Sequence, residues 1–430
     1  MLSLLQGDVL QRLRGIPSDA IQCVVTSPPY FGLRSYQIPD VVWDGDPECD
    51  HVWGEPGKPF HPGQVEQTKW KSAVGAGAGG NLTTGKFCLK CNAWLGCLGN
   101  EPTLQFYIQH LVDIFEEVKR VLRDDGVLFV NIGDSYASVG GDHSKYTNNQ
   151  TNTGAKRVHA IGGGDKGVRR TPKGLKPKDL MLIPERLAIA LQEAGWYVRS
   201  RIAWTKGSVL PESCKDRPTS SWEHIWMLTK SSKYYWDKTA GLEPLAASSV
   251  SQEEGTSGRN MRNVWHMNPK PLKEAHFATF PQSLPTKAIE VATSEAGCCP
   301  NCRAPYKRVV EKGLPDEEHK ALCGADSKGE YNGTAQKDYA PAKAQNPSAT
   351  KARILAGMVK KITTGWTPTC DCPPSDPIPC LVLDPFSGAG TTILAARDLG
   401  RDAVGIELNP DYIEITEKRL ETEVWDQWMW

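Results

Sequence analysis

The chemistry begins at Thr26-Ser27-Pro28-Pro29-Tyr30, which follows the apolar run Ile21 to Val25. That run reads as a buried parallel strand, so the chain leaves a strand's carboxyl end and enters two consecutive prolines. Prolines fix φ near −65° and carry carbonyls with no N–H of their own, so the corner is a rigid display of acceptors. Ser27 adds a hydroxyl and Tyr30 a flat aromatic face. Such a set suits the gripping of a planar NH2 group. A Pro-Pro turn that merely closes a strand would use the same residues.

A second chemical stretch lies far downstream. Leu381-Val-Leu383 reads as a strand, and Asp384-Pro385-Phe386-Ser387-Gly388-Ala389-Gly390-Thr391-Thr392 turns from it into a helix that Gly400 stops. Gly388 and Gly390 permit a tight turn and close approach of a ligand. Arg401 to Glu407 is the next strand and ends in an acid about 20 residues past the glycine turn, a place suited to accepting ribose hydroxyls. A nicotinamide or flavin enzyme would share this topology, but the third glycine of the dinucleotide fingerprint is missing.

Together the two stretches resemble the S-adenosylmethionine-dependent DNA amino-methyltransferases. The first looks like their (Asp/Asn/Ser)-Pro-Pro-(Tyr/Phe/Trp) catalytic motif and the second like their cofactor loop. Catalytic motif first and cofactor motif last resembles the permuted β class. The resemblance implies an α/β fold: a Rossmann-like, seven-stranded, mostly parallel methyltransferase sheet, circularly permuted, here carrying two cysteine-rich, zinc-ribbon-like inserts. It implies catalysis by Ser27, Pro28, Pro29 and Tyr30, with Tyr30 stacking on a base swung out of duplex DNA. It implies S-adenosylmethionine held by Asp8, Phe280, Asp384, Phe386, Gly388, Gly390, Thr391, Thr392 and Glu407. Phe280 belongs to His276-Phe-Ala-Thr-Phe280-Pro281, which looks like the family segment whose helix covers the methionine end of the cofactor. Lys206 and Arg217 match the stretch after the catalytic strand and are expected on the target's phosphates. Ser in the first motif position mostly accompanies cytosine in this family and Asp adenine, so N4-methylcytosine is expected and N6-methyladenine is the alternative. Double-stranded DNA and a cognate restriction endonuclease are the implied partners; a monomer and a homodimer are both compatible. Protein-glutamine methyltransferases carry a related motif, but after the cofactor loop. A zinc-bearing DNA-binding regulator with an inactive core would keep the same spacing.

The thirteen cysteines are clustered, which in a reducing cytosol suggests metal rather than disulfides. Cys49-x-His51 and Cys88-x2-Cys91 can each chelate from one turn, a four-ligand set suited to structural zinc, with Cys97 a substitute for His51. Cys299-x2-Cys302 looks like a zinc-ribbon knuckle. Cys370-x-Cys372 is the expected second pair, and Cys298, Cys323 and Cys380 are possible substitutes.

The elements that must position these groups follow an α/β rhythm broken twice. Leu104, Ile108, Leu111, Phe115, Val118 and Leu122 recur at three- and four-residue steps, which predicts a helix with one buried face. Asp124-Asp125-Gly126 should end it before the strand Val127 to Ile132. Asp134 is expected to cap a helix, with a place near the target base as the alternative. Leu180 to Ala194 reads as helix, and Trp196 to Trp204 and Glu223 to Leu228 as strands. The organisation expected is a catalytic half at 1–136 with a cysteine-rich insert at about 40–100, a basic mobile loop at 137–179, the remainder of the catalytic half at 180–296, a second insert at 297–375 and the cofactor half at 376–430. Arg259, Arg262, Trp265 and His266 fall where target recognition is expected.

In 430 residues, Lys plus Arg and Asp plus Glu both number 50, so any affinity for nucleic acid must be local. Nine Lys or Arg residues and one acid, Asp165, lie from Lys145 to Lys178, a concentration of charge suited to phosphates. No run of about 18 apolar residues occurs, so neither a signal peptide nor a membrane span is read, and an intracellular protein is expected.

Overall fold

Strands form where the apolar runs lie, and the two chemical motifs sit at the ends of neighbouring ones. A computed structural model describes residues 1–32, 39–55, 85–137, 174–209, 212, 214–243, 259–269, 280–315 and 359–420. The basic stretch up to Lys173, Pro211, Ser213, His276 to Thr279 and Cys323 to 350 lie outside the described residues. The chain divides into two compact units. One comprises Met1–Tyr234, Val264–Thr286 and Leu381–Trp430, the other Tyr235–Asn263 and Lys287–Cys380.

In chain order the strands are β1 (Leu2–Gln6), β2 (Ile21–Thr26), β3 (Val41–Trp43), β4 (Lys86–Phe87), β5 (Trp94–Gly96), β6 (Leu122–Ile132), β7 (Tyr197–Thr205), β8 (Trp222–Thr229), β9 (Leu242–Glu243), β10 (Arg259–Asn260), β11 (Val264–His266), β12 (Lys307–Pro315), β13 (Val359–Thr367), β14 (Leu381–Asp384) and β15 (Asp402–Glu407). The helices are α1 (Val9–Arg14), α2 (Leu104–Val121), α3 (Ile183–Glu193), α4 (Ser283–Ala292), α5 (Thr391–Asp398) and α6 (Pro410–Leu420).

The first unit is built on an eight-stranded sheet in the order β1-β15-β14-β2-β6-β8-β7-β11. Its first five strands run parallel; β8 is antiparallel to both β6 and β7, and β11 is parallel to β7. The expected seven strands are joined by β11, an edge strand of three residues that buries only Trp265. β14 pairs directly with β2, Val382 opposite Cys23 and Leu383 opposite Val24. This is the permuted arrangement: the cofactor motif and the catalytic motif leave adjacent strands at the same edge of the sheet, where such folds place their sites.

Helix α2 is capped by the Thr103 hydroxyl, which accepts from the Phe106 amide at 3.2 Å. It buries Leu111, Ile114, Phe115 and Val118 completely, each contributing roughly 1.5–3 kcal/mol by removal from water. It stops at Val121, and Leu122 through Gly126 already belong to β6, so the expected turn at Asp124 is an irregular strand start instead. Asp134 does cap a helix, though a distant one. Its Oδ1 accepts from the amide of Ile183, the first residue of α3, at 3.1 Å, where Leu182 at φ 55° offers no side-chain cap.

The first cysteine-rich insert has more order than its composition suggests. β3, β5 and β4 form a three-stranded antiparallel sheet, and Trp43, Trp94 and Leu98 join the core of this unit. There His110 of α2 lies buried between two carboxylates, Nδ1 3.1 Å from Glu101 Oε1 and Nε2 3.0 Å from Asp44 Oδ2. The rings of Trp43 and Trp94 lie near-parallel to it, 4.6 and 5.7 Å away. Burial alone would lower the imidazole's pKa; Asp44 and Glu101 outweigh it and hold it at about 9. A folded-state pKa above the ordinary 6.5 stabilises the fold fully below pH 6.5 and ceases to as pH rises through 9. The melting temperature should therefore fall as pH rises across that window. His110→Gln should be less stable at neutral pH and lack that step.

The second unit holds β9–β10 and the antiparallel pair β12–β13. Within it Asp237 is buried; its Oδ1 accepts from the amides of Thr239 and Ala240 at 2.9 and 3.1 Å while Oδ2 accepts from Arg308 Nε at 2.9 Å. The Arg308 guanidinium also lies over the Trp366 ring, 4.3 Å from its centre. No helix among the described residues is long and apolar enough to cross a membrane.

Candidate active site and metal centres

Thr26 ends β2 completely buried, and its hydroxyl donates to Asp384 Oδ1 at 2.7 Å. Thr392 of α5 donates to the other carboxylate oxygen at 2.7 Å and to the Val25 carbonyl at 3.2 Å. The Phe386 amide donates to Asp384 Oδ1 at 3.1 Å. The sequence places Asp384, Thr391 and Thr392 among the cofactor ligands. In the structure the Asp384 and Thr392 side chains are spent on one another and on β2. They fasten the glycine loop to the residue before Ser27. Burial pushes the Asp384 carboxyl up to about 6, although three hydrogen bonds favour its charge. Thr391 is buried too, and Arg419 donates to its hydroxyl at 3.3 Å.

The loop itself is shaped for a ligand. Gly388 and Gly390 have φ of 51° and 73°, which side chains other than glycine rarely adopt. A Cβ on Gly390 would lie 2.2 Å from Thr416 Cγ2, because α6 backs the loop closely. Glu407, at the end of β15, accepts from the Gly388 amide at 2.8 Å through Oε2 and from the Asn409 amide at 2.8 Å through Oε1. Burial raises its pKa against those bonds. With the Leu408 amide also bonded to it, three of the carboxylate's roughly four acceptor positions are taken and one is left, so the acid can brace the loop and accept a ribose hydroxyl together. These residues fit S-adenosylmethionine. Asp8 has another task, capping α1 by accepting from the Gln11 amide at 2.9 Å. Phe386 is partly buried against the core, and Phe280 lies just before α4. Removing the Glu407 carboxylate should weaken S-adenosylmethionine binding by roughly 1.5–3 kcal/mol, the scale of a charged acceptor. Titration calorimetry on Glu407→Ala checks this, and unchanged affinity would remove Glu407 from the site.

Around Ser27 the structure gathers residues that the sequence did not single out. The Pro29 carbonyl accepts from Tyr107 of α2 at 2.7 Å. The Tyr30 ring lies against Gly133, where a Cβ would come within 2.5 Å of Tyr30 Cε2. The Tyr30 oxygen is 2.8 Å from Glu223 Oε2, 3.2 Å from Asn131 Oδ1 and 3.4 Å from Ser27 Oγ. Glu223 in turn pairs through Oε1 with Lys206, whose ammonium lies 4.4 Å from the centre of the Trp204 ring. Only one signal could have pointed to Glu223: an acid at the second position of a mostly apolar strand. Arg217 pairs with Glu212 at 2.6 Å and stacks over Tyr136 at 3.8 Å. Both cations expected on phosphates thus have partners within the chain.

The two metal clusters assemble from the expected residues. Cys49, His51, Cys88 and Cys91 form one set and Cys299, Cys302, Cys370 and Cys372 the other, with the ligating atoms of each within 4.8 Å of one another. In the first, Cys49 and Cys88 sulfurs are 4.0 Å apart and Cys91 Sγ is 3.4 Å from His51 Nδ1. A tetrahedral zinc ion with ordinary bond lengths sets such edges at about 3.8 and 3.6 Å, so the donors fit it. Burial pushes the Cys88 thiol up, but the Cys91 and Lys90 amides more than offset it and bring it to about 6. The amide of Cys302 leads those that lower Cys299 to about 7. Thiolates near neutral pH are what a metal requires. The substitutes lie elsewhere: Cys97 faces Asp40 at 3.2 Å, Cys298 the Pro379 carbonyl at 3.6 Å and Cys380 the Ser294 carbonyl at 3.8 Å. Elemental analysis of protein purified without chelators should find two zinc ions per chain, and zinc-free protein would refute both sites.

Known proteins match the chain over nearly all its length. Residues 21–299 and 374–418 match a family described as DNA methylase, so the stretch passed over contains Cys302, Cys370 and Cys372. The Type II methyltransferase M.Cfr9I of Citrobacter freundii is 32% identical over 98% of this chain and 88% of its own length. The Type II methyltransferase M.SmaI of Serratia marcescens is 29% identical over 97% and 90%. Among solved structures, the PvuII DNA methyltransferase (cytosine-N4-specific) covers 97% of this chain and 85% of its own, at 15% identity and a TM-score of 0.46.

Proposed function

The chain belongs to the DNA methylase family, and on that premise we propose that it methylates the exocyclic N4 of cytosine at a defined site in duplex DNA. The observation that carries this reading is Ser27, a neutral hydroxyl at the end of β2, tied through Thr26 and Asp384 to the glycine loop. An exocyclic amine is a poor nucleophile because its lone pair is delocalised into the ring. Ser27 Oγ and the Pro28 carbonyl would accept the two amino hydrogens and pull the nitrogen toward tetrahedral geometry, freeing the lone pair. Acceptors held in place beforehand act without reorganising during the reaction. When bound, S-adenosylmethionine supplies an electrophilic methyl group on a sulfonium sulfur. Glu407 and the loop from Gly388 to Gly390 would hold its nucleoside. To reach the corner the base must leave the stack, as in other enzymes that do chemistry on bases, and the Tyr30 face would receive it. Both clusters would hold structural zinc, since each offers four ligands and no open position. The relatives named as Type II methyltransferases support a place beside a restriction endonuclease.

The organisation we propose is a catalytic half, a cofactor half and a second insert bearing its own metal centre. N6-methyladenine is the second reading, favoured by nothing in the geometry over cytosine. Nucleoside mass spectrometry on DNA from expressing cells decides between them. N4-methylcytosine is expected; N6-methyladenine alone would overturn the choice of base, and no methylated base would overturn the reaction.

A further inference from the structure

We propose that Glu223 is a positioning residue for methyl transfer, orienting the Ser27 hydroxyl through Tyr30; this rests on the reading of Ser27 as an amino-group acceptor. A hydroxyl carries one hydrogen and two lone pairs, and only the lone pairs help an amine. Which of them Ser27 presents depends on what draws its hydrogen away.

The Tyr30 hydroxyl has two oxygens as claimants for its single hydrogen, Glu223 Oε2 at 2.8 Å and Asn131 Oδ1 at 3.2 Å. The carboxylate is nearer and charged, so it is the stronger acceptor. Asn131 supports it, its Nδ2 donating to Glu223 Oε2 at 3.2 Å and to the His224 carbonyl at 3.0 Å. With its hydrogen committed to Glu223, the Tyr30 oxygen turns lone pairs toward Ser27, whose hydroxyl donates to it across 3.4 Å. The Ser27 lone pairs are then left for the amino group. Bonds that donate in one direction along a chain polarise one another.

Lys206 fixes the far end. It binds the other oxygen, Oε1, so Glu223 is held at both oxygens. Glutamine at this position has a single acceptor oxygen; it can serve Lys206 or Tyr30, and its amide would push a hydrogen at the one it does not serve. With that amide nitrogen toward Tyr30, the Tyr30 hydrogen would be left to the longer, neutral acceptor Asn131 Oδ1 or to Ser27, and Ser27 could then offer its own hydrogen where an acceptor is required.

The test is a double-variant cycle on methyl transfer from tritiated S-adenosylmethionine into unmodified duplex DNA. Glu223→Gln should lower kcat tenfold or more while leaving KM for DNA and the calorimetric affinity for S-adenosylmethionine near those of the wild type. Tyr30→Phe, which removes one oxygen and keeps the ring, should lower kcat alike and tests the idea if the first variant does not fold. The combined variant should lose no more than the worse single one, because both cut one chain. Multiplied losses, or a wild-type kcat in either single variant, would overturn the positioning role while the methyltransferase reading stands. A wild-type protein that transfers no methyl group to DNA would overturn that reading and the role with it.

Discussion

Ser27→Ala protein is expected to bind S-adenosylmethionine normally and to transfer methyl groups at least ~10²-fold more slowly, the scale of losing one preorganised transition-state partner. The loss should fall on kcat, because in the proposed reaction the hydroxyl would serve a nitrogen whose lone pair is freed only as the new bond forms. Little else depends on the side chain. Ser27 is only half-buried, and the backbone around it is held by other groups: Thr26 by Asp384, and Pro29 by Tyr107. Deleting one oxygen should therefore leave the melting temperature almost unchanged. Single-turnover rates with saturating cofactor measure the effect directly. A rate within about threefold of wild type would remove Ser27 from the reaction.

The second large effect is on stability. Asp384→Ala takes the acceptor from the completely buried Thr26 hydroxyl and from the Phe386 amide, and leaves the buried Thr392 hydroxyl only the longer contact to the Val25 carbonyl. Each unsatisfied buried group costs about 1–3 kcal/mol, so a total of roughly 3–5 kcal/mol is expected. Denaturant titration measures it, and a loss under about 1 kcal/mol would mean that the carboxylate fastens little. The same residue predicts a pH effect of definite sign. Its folded-state pKa of about 6 stands above the ordinary 3.8. Between those values the folded protein keeps a proton that the unfolded chain has released, so this group's contribution falls as pH rises through the window. Asp384→Asn is neutral throughout and should lack that slope.

The fold was readable wherever burial leaves a period. β2, β14 and β15 announce themselves as short apolar runs, and α2 by apolar residues at helical steps. Both metal clusters were readable because cysteine pairs at chelating distance have few other uses. The permutation was readable from motif order alone. What escaped lies in contacts between distant segments. Glu223 and Tyr30 are 193 residues apart, and no local pattern joins them. His110 looks in sequence like one more residue on an amphipathic helix; only Asp44 and Glu101, brought in by the insert, make it a buried cation. Nor does the motif at Asp384 show that its carboxylate binds Thr26 and Thr392 and so fastens the loop to β2. The pairing of Lys206 with Glu223 was hidden too, since an isolated cation near a motif says nothing about the acid that will pair with it.

The pairing of β14 with β2 also bears on how the protein is made. Thr26 and Asp384 are separated by 358 residues, and at 5–20 residues per second a ribosome needs roughly 20–70 s to travel between them. Throughout that interval β2 waits without one of its two neighbours, although β6 is already made, and β1, whose partner is β15, waits longer still. The glycine loop that would hold the methyl donor does not yet exist. On the proposed reading, a nascent chain would therefore carry the Ser27 corner before it has the loop that would hold the methyl donor. The order of strands leaves the centre of the parallel sheet to be completed by the β14–α5–β15 segment, after the strands on either side of it have been made.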